Sequence, residues 1–225
     1  MTVTTGELGT ASTPKRRPRR RGLLGDNVAR TVESLQRRLL LPTPSQEAVG
    51  ALARLRRVAG RPPGSDILMD KYVGLSDQIL EALAEPYNAE EATDAEHAKA
   101  AAVTLFAIHQ QSQRVPMHVD GRGLGYAIGG LARKSKHPEG VRRRFAALGT
   151  AISFDEALYR LRSLTFMLRE HKIPLDYGLL ADDLRTLRRP GGRPRMQSTW
   201  GREFFRSMPE TDCDIQSQTT EETAS

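Results

Sequence analysis

Arginine is the residue whose number and spacing give this chain a chemistry. Arg54, Arg57 and Arg61 fall at i, i+3 and i+7, one stripe of a helix and its exit, and Arg30, Arg37 and Arg38 share a face further upstream. Later, Arg133, Lys134 and Lys136, then Arg142, Arg143 and Arg144, then Arg160 and Arg162 follow on three consecutive helical segments joined by short turns. Guanidinium forks meet phosphate oxygens bidentately, so several on one face give salt-dependent affinity for a nucleic-acid backbone without reading its bases. Only Glu139 lies close behind Arg142, Arg143 and Arg144, and three successive arginines cannot all find partners within one helix. The candidate nucleic-acid-binding set is Arg54, Arg57, Arg133, Lys134, Lys136, Arg142, Arg143, Arg144, Arg160 and Arg162.

Other chemistries find less support, and no catalytic residue, metal ligand or cofactor is expected. His97, His109, His118, His137 and His171 stand apart, without the i, i+3 or i+4 pairs that metal ligation on a helix uses. Glycines at 121, 123, 125, 129 and 130 imitate a phosphate-cradling loop, but no strand precedes them and no Gly-Lys-Ser/Thr follows; they read as a linker entering a closely packed helix. Asp182 and Asp183 are adjacent, about 100° apart on a helix, and cannot face each other as an acid/base pair; one is expected to cap a helix or pair with Arg185 or Arg188. Cys213 sits among acids with nothing to lower its pKa. Aromatic residues are 5% and Phe106, Phe145, Phe154, Phe166, Trp200, Phe204 and Phe205 fall on apolar faces, which argues for core rather than base stacking.

The elements that must position the arginines are helical. Val28, Val32, Leu35 and Leu39 define a helix over 27–41, capped by Asp26/Asn27 and closed by Pro42; a second runs from Ser45 to Gly60. Leu75, Ile79, Leu80 and Leu83 give a short third, and 94–113 an alanine-rich fourth that Pro116 ends. Gly123 to Lys134 follows, then a helix with Pro138 in its first turn, one opened by Ser153 and Glu156 as a capping box, one opened by Pro174, and a last one holding Trp200 and Phe204. No stretch alternates as a strand does. The fold class is all-α, about nine helices in two packed helical bundles.

With 34 basic and 27 acidic residues among 225, the chain carries +7. Residues 1–25 hold six basic residues against Glu7 and read as a disordered basic arm; 209–225 hold five acids and no base and read as a disordered acidic tail. The ends cancel, which leaves +7 on the body between them: a bundle over 26–115, a linker at 116–122 and a second bundle over 123–208. One cysteine makes no internal disulfide, which points to a reducing compartment. The run from Lys15 to Arg21 lacks a following apolar region, and no apolar stretch reaches the 18 residues of a membrane span, so a cytoplasmic protein is expected.

The order of short motifs is informative: Leu55-Arg56-Arg57, an alanine-rich helix ending His109-Gln110, Leu124-Gly125 with Leu131-Ala132, Arg143-Arg144-Phe145, Leu161-Arg162, Leu175-Asp176-Tyr177 with Asp183-Leu184, and Trp200-Gly201-Arg202-Glu203-Phe204. The set, over roughly residues 27–207, resembles the CasB family, the small subunit of the type I-E CRISPR Cascade complex. The resemblance implies two helical bundles without catalysis. It implies as partners the other Cascade subunits and guide RNA, a second copy head to tail, and target DNA, the displaced strand especially. In that reading a basic face, carried over best to Arg143 and Arg144 with Arg57, Lys134 and Arg162 near them, stabilises the R-loop. The resemblance covers no DNA role for the basic arm. Two alternatives stand beside it. A sequence-specific all-α DNA-binding transcriptional regulator would need a polar recognition helix, for which the 45–61 helix offers only Gln46. An RNA-processing enzyme would need a catalytic set, and none is present in the pattern.

Overall fold

The structure, a computed structural model, describes residues 19–85 and 91–207, and among these residues it is all-α: ten α-helices, one 3-10 turn and a single isolated bridge. The first half comprises α1 (Leu23–Leu39), α2 (Gln46–Val58), the 3-10 turn Ile67–Met69, α3 (Asp70–Val73), α4 (Asp77–Ala82) and α5 (Asp94–His109). The second comprises α6 (Leu124–Lys134), α7 (Pro138–Gly149), α8 (Phe154–Glu170), α9 (Tyr177–Arg188) and α10 (Gly192–Arg206).

The central element is α5. Thr93 and Glu96 close a reciprocal capping box at its start, and every side chain from Ala98 to His109 is buried, so the helix is wrapped on all sides. Small alanine side chains let α1, α2, α8 and α9 approach it. Because α9 packs on both α1 and α5, one hydrophobic cluster runs from Leu24 and Val28 through Phe106, Tyr177 and Leu180 to Trp200 and Phe204. Residues 116–122, expected as a linker, bury Met117 and run beside 175–176: Leu175 N–H donates to Met117 O at 3.0 Å and Asp176 N–H to Arg122 O at 2.8 Å. That pairing occupies the backbone of Leu175, so α9 begins at Tyr177 with Asp176 as its N-cap rather than at Pro174.

The arm expected over residues 1–25 is corrected at its inner end. Residues 1–18 lie outside the described residues, as do 208–225, but α1 begins at Leu23, and Arg19 and Arg21 reach into the body. Arg19 donates to Asp183 at 2.6 Å and to Glu203 at 3.1 Å; Arg21 pairs with Asp176 at 2.9 Å and with Asp120. Asp182 receives the N–H groups of Gly22 at 2.7 Å and Gly25 at 2.9 Å, capping α1 from another helix. Asp182 and Asp183 thus cap and pair as expected, though with residues about 160 positions away, while Arg185 and Arg188 turn to Glu85 and Asp94.

The glycines of α6 find their use against α10. A Cβ at Gly125 would collide with the Trp200 carbonyl, and one at Gly129 with Ser207 and the Phe204 carbonyl. Residue 125 lies against 200–203 and residue 129 against 204–207, so the two helices run parallel and end side by side.

Candidate nucleic-acid interface

Two groups of cations emerge, one carried by α2 and by α8 where these pack on α5, the other at the turn between α6 and α7. The first surrounds the C-terminal end of α5. Arg56, from α2, points at the Ala107 carbonyl at 3.5 Å; Arg169, from α8, approaches Ile108 O at 3.5 Å and donates to Gln111 Oε1 at 3.1 Å. These carbonyls are the negative end of the α5 dipole, which draws both guanidiniums inward without neutralising them. Burial, followed by the charges of Arg169 and Arg57, presses the Arg56 pKa below its ordinary value. The repulsion shows that three cations share one region, and none of them pairs with a described carboxylate.

Arg162 extends this group along α8. Its guanidinium lies 5.9 Å from the Phe166 ring centre and that of Arg169 lies 4.9 Å from it, so Phe166 seats two arginines one turn to either side. Arg162 also borders a groove of about 190 Å³ whose other wall is Ala59 and Gly60, the exit of α2, with Asp155 at its edge. Exposed Arg57 continues into a wider groove of about 650 Å³ between α2 and residues 67–72, where Ile67 and Leu68 are 85% and 57% exposed. Arg54 stands at the same groove, 3.5 Å from Asp66.

The second group lies at the α6–α7 turn. Arg133, Lys134 and Lys136 are exposed there and pair with no described carboxylate. On α7, Arg142 pairs with Glu139 at 2.6 Å, Arg144 donates to the Gly140 carbonyl at 3.0 Å, and exposed Arg143 has no described partner. Arg160, on α8, pairs with Glu156 at 3.2 Å. The structure therefore sets Arg162 opposite the exit of α2 across α5 and Arg57 in the neighbouring groove, carries Arg133, Lys134 and Lys136 at the α6–α7 turn and Arg142–Arg144 on α7, and gives Arg54, Arg142 and Arg160 acidic neighbours. The Arg142–Glu139 pair is solvent-exposed, a setting in which a pair contributes about 0–1 kcal/mol, so a phosphate can compete for Arg142; the Arg54 and Arg160 pairs are half-buried, with Arg160 Nε buried and unpartnered.

Sequence reasoning misses Arg56 and Arg169. Arg56 is off the 54-57-61 stripe, whereas the spacing Arg162, Phe166, Arg169 on one helix face is a signal open to reading. The expectation of buried aromatics is corrected at Phe205, which is 62% exposed with its edge against Phe204, and at Phe154 and Phe166, half-buried beneath arginines.

One histidine does meet carboxylates. The ligand atoms of Glu33, His118 and Asp120 lie within 4.8 Å of one another. The site does not fit a cation: Arg21 already lies on both carboxylates, and His118 Nδ1 accepts the Tyr177 N–H at 3.1 Å, which leaves the ring proton on Nε2, the atom that would have to ligate. Burial holds the His118 pKa below its ordinary value, and that of His109 down at about 3, so both rings are neutral parts of the core.

Among known proteins, the family model described as CRISPR-associated protein Cse2 matches residues 51–205. The crystal structure of CasB from Thermobifida fusca is similar at 38% identity and a TM-score of 0.67, covering 82% of this chain and 99% of that one. A Cse2-family CRISPR-associated protein from Thermus thermophilus shares the fold at 24% identity and a TM-score of 0.57, covering 80% and 97%. A chain of a CRISPR RNA-guided surveillance complex shares it at 17% identity and 0.59, covering 87% and 99%. No curated protein sequence matches significantly.

Proposed function

The chain belongs to the CRISPR-associated Cse2 (CasB) family, and from that premise we propose that it is a non-catalytic small subunit of the RNA-guided Cascade surveillance complex, where it holds nucleic-acid backbone and stabilises the R-loop. The observation that carries this reading is the cluster of Arg56, Arg57, Arg162 and Arg169. Arg56 and Arg169 sit at the C-terminal end of α5, Arg57 follows Arg56 on α2, and Arg162 lies two turns back along α8; four guanidiniums so placed, without a described carboxylate partner, form a surface for a polyanion. Formation of an R-loop is nearly balanced in energy, since one heteroduplex replaces one duplex. A surface that grips phosphates of the unpaired strand shifts that balance, because reannealing must first break those contacts. The grip is built from cations that meet phosphate oxygens, and the amide beside them, Gln111, already accepts from Arg169 through its Oε1, so backbone contact rather than base reading is expected to dominate.

The partners follow from the same reading: guide RNA and larger subunits, target DNA, and a second copy head to tail. The groove beside exposed Ile67 and Leu68 supplies apolar surface for a protein neighbour. No helix among the described residues is long and apolar enough to cross a membrane.

The test is a salt titration of affinity for single-stranded DNA. Arg57→Ala with Arg162→Ala lowers the slope of log K against log salt by roughly 1 per arginine, equally for scrambled sequences, while the thermal midpoint stays put. Arg143→Ala with Arg144→Ala does the same if the α6–α7 group touches the same strand. Slopes equal to wild type in both pairs would remove these arginines from the interface, and a preference for one duplex sequence would favour a regulator.

A further inference from the structure

The acidic C-terminal segment reads from its composition as a solvated tail, and the body of the fold shows where it must start. Helix α10 runs parallel to α6, with Ser207 against Gly129. One further turn of α6 is Arg133, followed by Lys134 and Lys136. Ser207 ends the described chain beside this cationic turn, its N–H bonded back to Glu203 O and Phe204 O. Phe204, three residues before that end, stacks on Phe145 of α7 with ring centres 5.3 Å apart, next to Arg144. The segment beyond, residues 208–225, carries Glu210, Asp212, Asp214, Glu221 and Glu222 and no lysine or arginine.

We propose that residues 208–225 lie on the α6–α7 cationic surface of their own chain and act there as an internal competitor of nucleic acid. The first three acids fall within seven residues of Ser207; Arg133, Lys134 and Lys136 are exposed without described partners at the end of the helix that α10 runs along, and Arg143 is exposed on the outer face of α7. An attachment this short holds the acids at a millimolar-scale effective concentration over the cations, so contacts that are individually weak are populated together. The interaction is electrostatic and unstructured in its demands, which suits a Ser/Thr/Gln-rich sequence with few apolar residues. Its consequence is selectivity by charge density. Isolated or short polyanions face a surface already covered, whereas a continuous backbone with many phosphates displaces the tail. This consequence rests on the nucleic-acid reading given above; the contact itself does not.

The experiment treats the full chain with a water-soluble carbodiimide, which condenses a lysine ammonium and a carboxylate into an amide while the reagent takes up the lost oxygen as a urea. Peptide mass spectrometry then locates the amides. Lys134 and Lys136 should be joined to Glu210, Asp212 or Asp214 within one chain. Lys71 serves as a control, joined to Glu47 with which it pairs at 3.0 Å and not to the tail. The tail links should vanish near 1 M salt, where the screening length is about 3 Å. In parallel, a chain ending at Ser207, and a full chain with Glu210→Gln, Asp212→Asn, Asp214→Asn, Glu221→Gln and Glu222→Gln, should both bind oligothymidylate about tenfold tighter than wild type at low salt. That factor corresponds to a surface occupied some nine-tenths of the time, and the gap should close as salt rises. Links spread evenly over Lys71, Lys172 and Lys134, links found only between chains, or equal affinities for all three proteins would each overturn the proposal. Intrachain links with no oligothymidylate binding by any form would instead overturn the nucleic-acid role and leave the docking standing.

Discussion

Arg19 and Arg162 are the same residue in opposite circumstances. Arg19 reaches between α9 and α10 to Asp183 and Glu203; Arg162 lies over a phenylalanine at the rim of a groove, with no described carboxylate to meet. The same holds for Arg21, which lies between Asp176 and Asp120, against Arg57 and Arg143 on exposed helix faces. A guanidinium surrounded by carboxylates is a fastener: its charge is used within the fold and adds little to the outer field. One left to solvent, with its stem packed and its head oriented, is available to a phosphate. Net charge alone does not distinguish them. The run from Lys15 to Arg21 is the densest stretch of positive charge in the sequence, yet Arg19 and Arg21 at its end meet carboxylates of the body.

The comparison is broken most severely by removing the fastener's acid. Asp183 is buried, accepting from Arg19 at 2.6 Å and from Trp200 Nε1 at 2.8 Å. Asp183→Ala leaves a partly buried guanidinium and an indole N–H without a partner, and should lower unfolding free energy by about 4 kcal/mol. Urea titration followed by Trp200 fluorescence measures it. A loss under about 1 kcal/mol would show that the segment 19–22 adds nothing to the body.

A second effect concerns pH. Burial opposes the charge of both partners: the carboxylates of Asp183 and Glu203 carry Arg19 above its ordinary value nonetheless, whereas Asp183, the more buried, is pushed up to about 6 in spite of Arg19. Burial raises Asp182 and Glu203 as well. Since the folded chain holds the Asp183 proton more tightly than the unfolded one, the stability this group contributes is fully present below pH 3.8 and is lost as pH rises through about 6. The stability difference between wild type and Asp183→Asn should therefore narrow by about 3 kcal/mol at most between those limits. A difference independent of pH would mean that Asp183 titrates near its ordinary value and that the pair is self-sufficient.

What the sequence makes legible follows the range of the interaction. The helix over 124–134, the first-turn Pro138 and the Ser153 cap depend on residues within four positions, and the structure has them: Ser153 Oγ receives the Glu156 N–H at 3.1 Å, although the Glu156 carboxylate goes back to Ile152 N–H. Helix α1 starts four residues before the expected position because its cap is Asp182, which no local pattern announces. Pro174 misleads for the same reason, since Leu175 is claimed by Met117. At the candidate interface, basic helices are legible from spacing, but their facing is not. Arg54 and Arg57 share a stripe, and only the fold shows that Asp66 stands by one and that Arg56, off the stripe, joins the other at the end of α5.

The smallest expected effect moves one arginine from the first class to the second. Arg142 pairs with Glu139 across a single turn, and the pair is exposed. Glu139→Gln removes the carboxylate while keeping the side-chain volume and the helical propensity, at a stability cost below about 0.5 kcal/mol. If fastening and availability are alternatives for the same side chain, Arg142 then joins Arg143 as a free cation and the salt slope for single-stranded DNA steepens by up to about 1. Docking of the acidic tail would compete for the freed arginine, so the measurement is sharpest in the chain ending at Ser207. An unchanged slope there would show that Arg142 faces away from the bound strand, and that an arginine needs the right face as well as the lack of a partner.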